Sequence, residues 1–199
     1  LSVEEEIKLA SRELKEIADL IGPSTELLYV IGNHEEFLNR WIDSERWIGD
    51  PYNAIEGAEL FAKIARKEAQ GDEAIAIEEA FKLYGDGGIP KNVKFLTRES
   101  DYKVFGWQLA VHGDKGANGA KPSARTLENA YGKVVVGHRH MPGRWRNVIH
   151  VGTSTKIPLP YAEGGPGGWM HTHALLYHVG GIVAHVQSVN IIDGKKWRI

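Results

Sequence analysis

The chain contains no cysteine, which excludes disulfides and zinc–thiolate centres. Any metal ion must be held by His, Asp, Glu, Asn or backbone oxygen, and a reducing compartment is compatible. There is no run of about eighteen apolar residues and no apolar secretory segment, so no membrane span is expected. An excess of one charge is lacking too. The 24 Lys and Arg residues stand against 26 Asp and Glu, a net charge of −2. No global field draws this chain to nucleic acid, so any basic binding surface must be local. What remains is an ordinary globular composition, 199 residues with 42% hydrophobic and 25% charged. That length supports one sizeable core, and a single domain over residues 1–199 is expected.

The first half reads as helical. Residues 3–21 carry Ile7, Leu14, Ile17, Ala18 and Ile21 near one face, and Ser2 with Glu5 can close a capping box. Gly22-Pro23 ends that helix. Leu27 to Ile31 is an apolar run without polar alternation, which suits a strand buried on both faces. Residues 54–84 read as two helices broken around Gly71-Asp72, with Leu60 and Ile64, then Ile77 and Phe81, at helical spacing. This pair is an insertion, either a cap over a site or a plain packing pair. From residue 93 the character turns to β: Val93–Leu96, Lys103–Val111, Val134–Val136, Val148–Val151, Leu175–His178 and Ile182–Val189 are strand candidates. The stretch 161–168, rich in glycine, is a loop. The fold class is α/β in layers.

Three short peptides carry the chemistry: Gly32-Asn33-His34-Glu35, His112-Gly113-Asp114 and Gly137-His138-Arg139-His140. Each follows an apolar strand candidate. Ligands of open α/β sheets collect at the C-terminal ends of strands. Asn33 can offer a carbonyl oxygen to a hard cation, and His34 can give a proton to a leaving group. Nothing about packing asks for three strands that end in Gly/His peptides, so a shared metal site is the reading.

The set and order of these peptides resemble the calcineurin-like metallophosphoesterases, with Pro142 following the last box as it does there. The resemblance covers residues 27 to about 155. It implies a layered β-sandwich flanked by helices and two divalent metal ions, Mn first, with Fe or Zn as alternatives. It implies that Asn33, His112 and His138 bind the second metal and that His140 helps bind the first. His34 would be the catalytic group at the leaving-group side, and the nucleophile a two-metal-activated hydroxide. The tail, Trp169 to His173 and Ile191 to Arg198, with the Asn118-Gly119 pair, resembles the phage T5-type DNA-transfer nucleases. His171 and His173 fall on one sheet face and are read as structural.

The family's Asp-x-His and Gly-Asp-x-x-Asp boxes are absent before Gly32. They would supply ligands to the first metal and the bridging carboxylate. The expectation is therefore an incomplete domain, its N-terminal part cut away or its carboxylates given by another chain. Lys115, Arg125 and Arg139 are candidate substrate-binding cations, among Lys121, Arg144, Trp145 and Arg146, which can grip a phosphate backbone and stack a base. The leading function is a metal-dependent nuclease or DNA phosphodiesterase. The alternatives are a phosphomonoesterase acting on a protein, nucleotide or small molecule, and a silent DNA-binding or assembly subunit. Expected partners are DNA or another phosphate ester and further copies of the chain, with no membrane. The expected location is cytoplasmic, in the host cell if phage-encoded.

Overall fold

Ser2 starts the first helix as its sequence asks. In the computed structural model its hydroxyl accepts from the Glu5 N–H at 3.2 Å, and the Glu5 carboxylate accepts from the Ser2 N–H at 2.8 Å. This closes the capping box of α1 (Val3–Ile21), which stops at Gly22 with φ 78°. Residues 2–116, 119–157, 167–192 and 196–198 are described. Asn118, residues 161–166 of the expected glycine loop, and Asp193 to Lys195 of the tail lie outside them. The chain divides into two compact units, Leu1–Thr97 and Arg98–Ile199.

In the first unit α1 is followed by β1 (Leu27–Val30), α2 (Glu35–Asp43), a 3₁₀ turn (Arg46–Gly49), α3 (Ala54–Glu68), α4 (Ala76–Tyr84) and β2 (Val93–Leu96). β1 and β2 pair in parallel, Leu27 opposite Val93, so a long crossover must connect them; α2, α3 and α4 form it. One core holds the unit: Ile7 and Leu14 of α1, Ile42 of α2, Leu60 of α3, and Ile77, Ala80, Phe81 and Tyr84 of α4. The 54–84 helices thus pack into the same core as α1 and β1. Glu79 of α4 is a buried carboxylate held by Lys63, Lys67 and Lys82 at 3.8, 3.2 and 2.8 Å. Burial alone would raise its pKa, but the hydrogen bonds from Lys82 and Lys67 outweigh that and hold it below the ordinary value.

The second unit contains β3 (Lys103–Val104), β4 (Trp107–Gln108), α5 (Ala124–Tyr131), β5 (Val134–Val136), β6 (Gly143–Trp145), β7 (Val148–His150), β8 (His171–Val179), β9 (Ile182–Ile192) and β10 (Lys196–Arg198). They form two sheets, in the orders β3-β4-β5-β7-β6 and β10-β9-β8. β4, β5 and β7 are parallel; β3 and β6 flank them antiparallel. One face of the larger sheet packs Val134, Val136 and Val148 against Leu127 of α5. The other sets Trp107, Val135 and Ile149 against Ala174, Leu176, Val183 and Val186 of the smaller sheet. Helix, sheet and sheet stack as layers in this mixed α/β unit.

Two local expectations change. Residues 103–111 are not one strand. Phe105 (φ 49°) and Gly106 (φ 79°) both adopt left-handed backbone, so Val104 turns back on Trp107 in a two-residue hairpin. The loop expected after His112 to carry Lys115, Lys121 and Arg125 ends earlier, because residues 124–131 form α5. Ser123 caps it by accepting from the Thr126 N–H at 3.1 Å, so Arg125 is a helical rather than a loop cation. Among the described residues no helix is long and apolar enough to cross a membrane.

Candidate metal centre

The first box is a tied turn. Glu35 accepts from the Tyr29 hydroxyl at 3.0 Å and from the Gly32 N–H at 2.9 Å, which binds the end of β1 to the start of α2. Burial, then the Glu35 charge, pushes the Tyr29 pKa upward, so its proton stays in that bond. The turn fixes Asn33 and His34 between strand and helix. His34 sits at the N-cap of α2 with no side-chain capping bond, exposed, and packed edge-on against Phe37 at 5.6 Å. It borders a cleft of about 720 Å³ with Tyr29, Phe37, Trp41, Arg40 and Arg46.

The second unit holds the other three ligand candidates. β4, β5 and β7 are parallel and adjacent, so the peptides that follow them leave from one sheet edge. His112 follows β4, His138 and His140 follow β5, and His150 ends β7. The Gly137 N–H donates to the His112 carbonyl at 3.0 Å, and the Val151 N–H donates to the Val136 carbonyl at 2.9 Å. Gly113, at φ 98°, lies so close to Val136 that a Cβ there would meet the valine Cβ at 2.8 Å. This brings His112 and His138 together, with ring centres 5.2 Å apart and planes crossing at 72°. Two imidazoles that share a cation through metal–nitrogen bonds of about 2.1 Å have ring centres roughly 5 Å apart, so this pair fits two positions of one coordination shell. His138 and His140 have left-handed backbone, φ 59° and 57°, an uncommon and strained state for non-glycine residues that clusters at functional sites. His140 packs edge-on against Trp169 at 4.3 Å, and its carbonyl accepts from the Met170 N–H at 3.2 Å.

The shell is not completed within these residues. Among the described residues no three His, Asp or Glu side chains gather closely enough to hold a metal ion. Asp114, the carboxylate of the second box, is engaged otherwise: both its oxygens accept from one guanidinium nitrogen of Arg98 at 2.7 Å. Burial works to raise the Asp114 pKa, but the Arg98 hydrogen bond and charge prevail and hold it low. Asp114, His112, Arg98, Lys115 and Tyr131 border a cleft of about 150 Å³. The other cations named from the sequence, Arg125 and Arg139, are exposed in the same unit. Arg146 lies 5.6 Å over the Trp145 ring and 3.4 Å from Glu128. His171 gives a ring nitrogen to the Thr155 carbonyl at 2.7 Å, as its structural reading asks.

One residue escaped sequence reasoning. His150 is 5% exposed, and neither ring nitrogen has a hydrogen-bond partner among the described residues. Burial, and then the Arg139 charge, lowers its pKa and keeps the imidazole neutral. It lies beside Val136 in the parallel register, at the edge from which the His138 box departs. No glycine box precedes it, and Val148-Ile149-His150-Val151 reads only as strand.

Two Gly/His peptides beyond the adjacent parallel strands β4 and β5, with a third after β1, invite comparison with known proteins. The chain is similar to protein A1 of Escherichia phage T5. The two are 28% identical over 155 residues, which cover 77% of this chain. The matched part spans 27% of the T5 protein, about a quarter of its length. No protein-family model matches the chain, and no solved structure does.

Proposed function

We propose that this chain is part of a metal-dependent phosphoesterase of the calcineurin-like type, acting as a nuclease or DNA phosphodiesterase. The observation that carries the reading is the His112–His138 pair, two imidazoles at ligand spacing beyond adjacent parallel strands. The three boxes and their order support it, as does the similarity to a phage protein. His112 and His138 would hold one divalent cation, and His140 would contribute to a second; Mn is the first choice. Such cations supply charge for a phosphate group and an activated water. The chain's own residues do the rest. His34, exposed at the N-cap of α2, holds a proton at the departing oxygen. Lys115, Arg125 and Arg139 bind phosphate oxygens by charge.

The test is to incubate the protein with Mn²⁺ and plasmid DNA, in parallel with para-nitrophenyl phosphate. Nicking or degradation supports the nuclease. Release of nitrophenol without DNA cleavage replaces it with a phosphomonoesterase. A second reading, a DNA-binding subunit without turnover, draws on Asp114, whose carboxylate is bound to Arg98 rather than to the imidazoles. A gel shift with neither reaction would establish that reading.

A further inference from the structure

The hairpin of β8 and β9 differs from the rest of the chain in one respect. Residues 171–192 contain no Lys, Arg, Asp or Glu, although a quarter of the whole chain is charged. β8 lies at the edge of its sheet, whose order is β10-β9-β8. Its start is covered: the Thr153 N–H donates to the Met170 carbonyl at 3.0 Å and the Gly152 N–H to the Thr172 carbonyl at 3.3 Å. From Ala174 onward no further strand pairs with it among the described residues. The inner face of the hairpin is used, since Ala174, Leu176, Val183 and Val186 fill the core between the sheets. The outer face keeps exposed side chains. Leu175 and Tyr177 are 44% and 48% exposed, and Val179 and Ile182 at the tip 74% and 69%.

Proteins guard open edges with lysine, proline, inward charge or bulges, because unpaired N–H and C=O groups recruit other strands. β8 has no charged residue and no proline. Its one irregularity lies between Tyr177 and His178, beyond the stretch from His171 to Tyr177, which pairs regularly with β9. We infer that the β8 edge joins two copies of this chain, antiparallel about a twofold axis near Leu175, so that their smaller sheets become one continuous sheet.

The choice of a second copy rests on charge. An isologous contact sets each group near its own duplicate, so a charged edge repels itself. This edge brings no Lys, Arg, Asp or Glu together: Leu175 falls beside Leu175, and Tyr177 near His173 of the other copy. It offers nothing to a strongly acidic or basic partner.

The experiment is sedimentation velocity on the 199-residue protein, with Leu175→Lys and Leu175→Glu measured alone and mixed. Circular dichroism checks that each variant is folded. The wild-type chain is expected to reach twice its 22.1 kDa mass as concentration rises. Each variant alone should dissociate at least about tenfold more readily, because like charges meet at the axis. The mixture should recover the dimer, since Lys then faces Glu; a misfolded variant cannot do so. A wild-type chain that remains monomeric at high micromolar concentration overturns the proposal. So does a dimer that both variants leave intact, or a mixture that stays monomeric.

Discussion

A buried imidazole without a partner is a cost that the fold carries, and His150 is that residue. Leaving buried polar atoms unsatisfied costs about 1–3 kcal/mol. His150→Leu should therefore raise the unfolding free energy by about 1–2 kcal/mol in urea titrations at pH 6. The sign with pH follows from its lowered pKa. Between the folded pKa and the ordinary 6.5, the unfolded chain binds the proton and the native chain does not, so stability falls as pH drops below 6.5. His150→Leu should flatten that slope between pH 7 and 5; an unchanged slope would show that His150 titrates normally. Asp114 acts lower on the scale. Its depressed pKa gives stability that is complete above the ordinary carboxylate value of 3.8 and is lost as pH falls through the folded pKa. Arg98→Ala should cost about 3 kcal/mol at neutral pH, because it strands a largely buried carboxylate. Thermal melts at pH 7 and pH 3 should show that loss shrinking in acid. Both residues explain why parts of the site were hard to read. The Asp of His112-Gly113-Asp114 looks like a ligand in sequence, and only its distance to Arg98 shows its other bond. His150 has no flanking motif at all.

At the scale of elements, the sequence was most legible where a local rule decides the outcome. Ser2 and Glu5 announce α1, and the unbroken apolar run 27–31 announces a strand, although Leu27–Val30 are half-buried rather than buried on both faces as expected, in a sheet of two strands. The Phe105-Gly106 turn was not legible, because one of its left-handed positions is a phenylalanine rather than Asn or Asp. α5 was hidden for another reason: it is short, and Arg, Thr, Glu and Asn cover its polar face, so only Leu127 is fully buried. Gly152 supplies a test. A side chain there would run into the Met170 carbonyl, and Met170 also holds the His140 carbonyl. Gly152→Ala should destabilise the protein by about 1–3 kcal/mol and move the Trp169–His140 pair. The fluorescence of Trp169 above the other tryptophans, read as a difference spectrum against Trp169→Phe, checks the second effect. Retention of both stability and spectrum would mean that the close approach at Gly152 is not required.

Across the whole molecule, the α/β class and the order of helices before strands were readable from periodicity. The division at Thr97 was not, because no Pro- or Gly-rich linker marks it. The candidate site residues divide with it: Asn33 and His34 belong to the first unit, and His112, His138 and His140 to the second. This makes the roles separable by substitution. His112→Ala should weaken Mn²⁺ binding in calorimetry by at least about tenfold, while His34→Ala should leave it near the parent value. Equal losses would remove the distinction between ligand and proton donor. The backbone at His138 adds a further consequence. Its left-handed conformation suits glycine better than any residue with a Cβ. Replacing this histidine by glycine should therefore make the polypeptide harder to melt and poorer at capturing cations in the same stroke. A position where thermal robustness and ion capture change in opposite directions is one that chemistry, not folding, has kept.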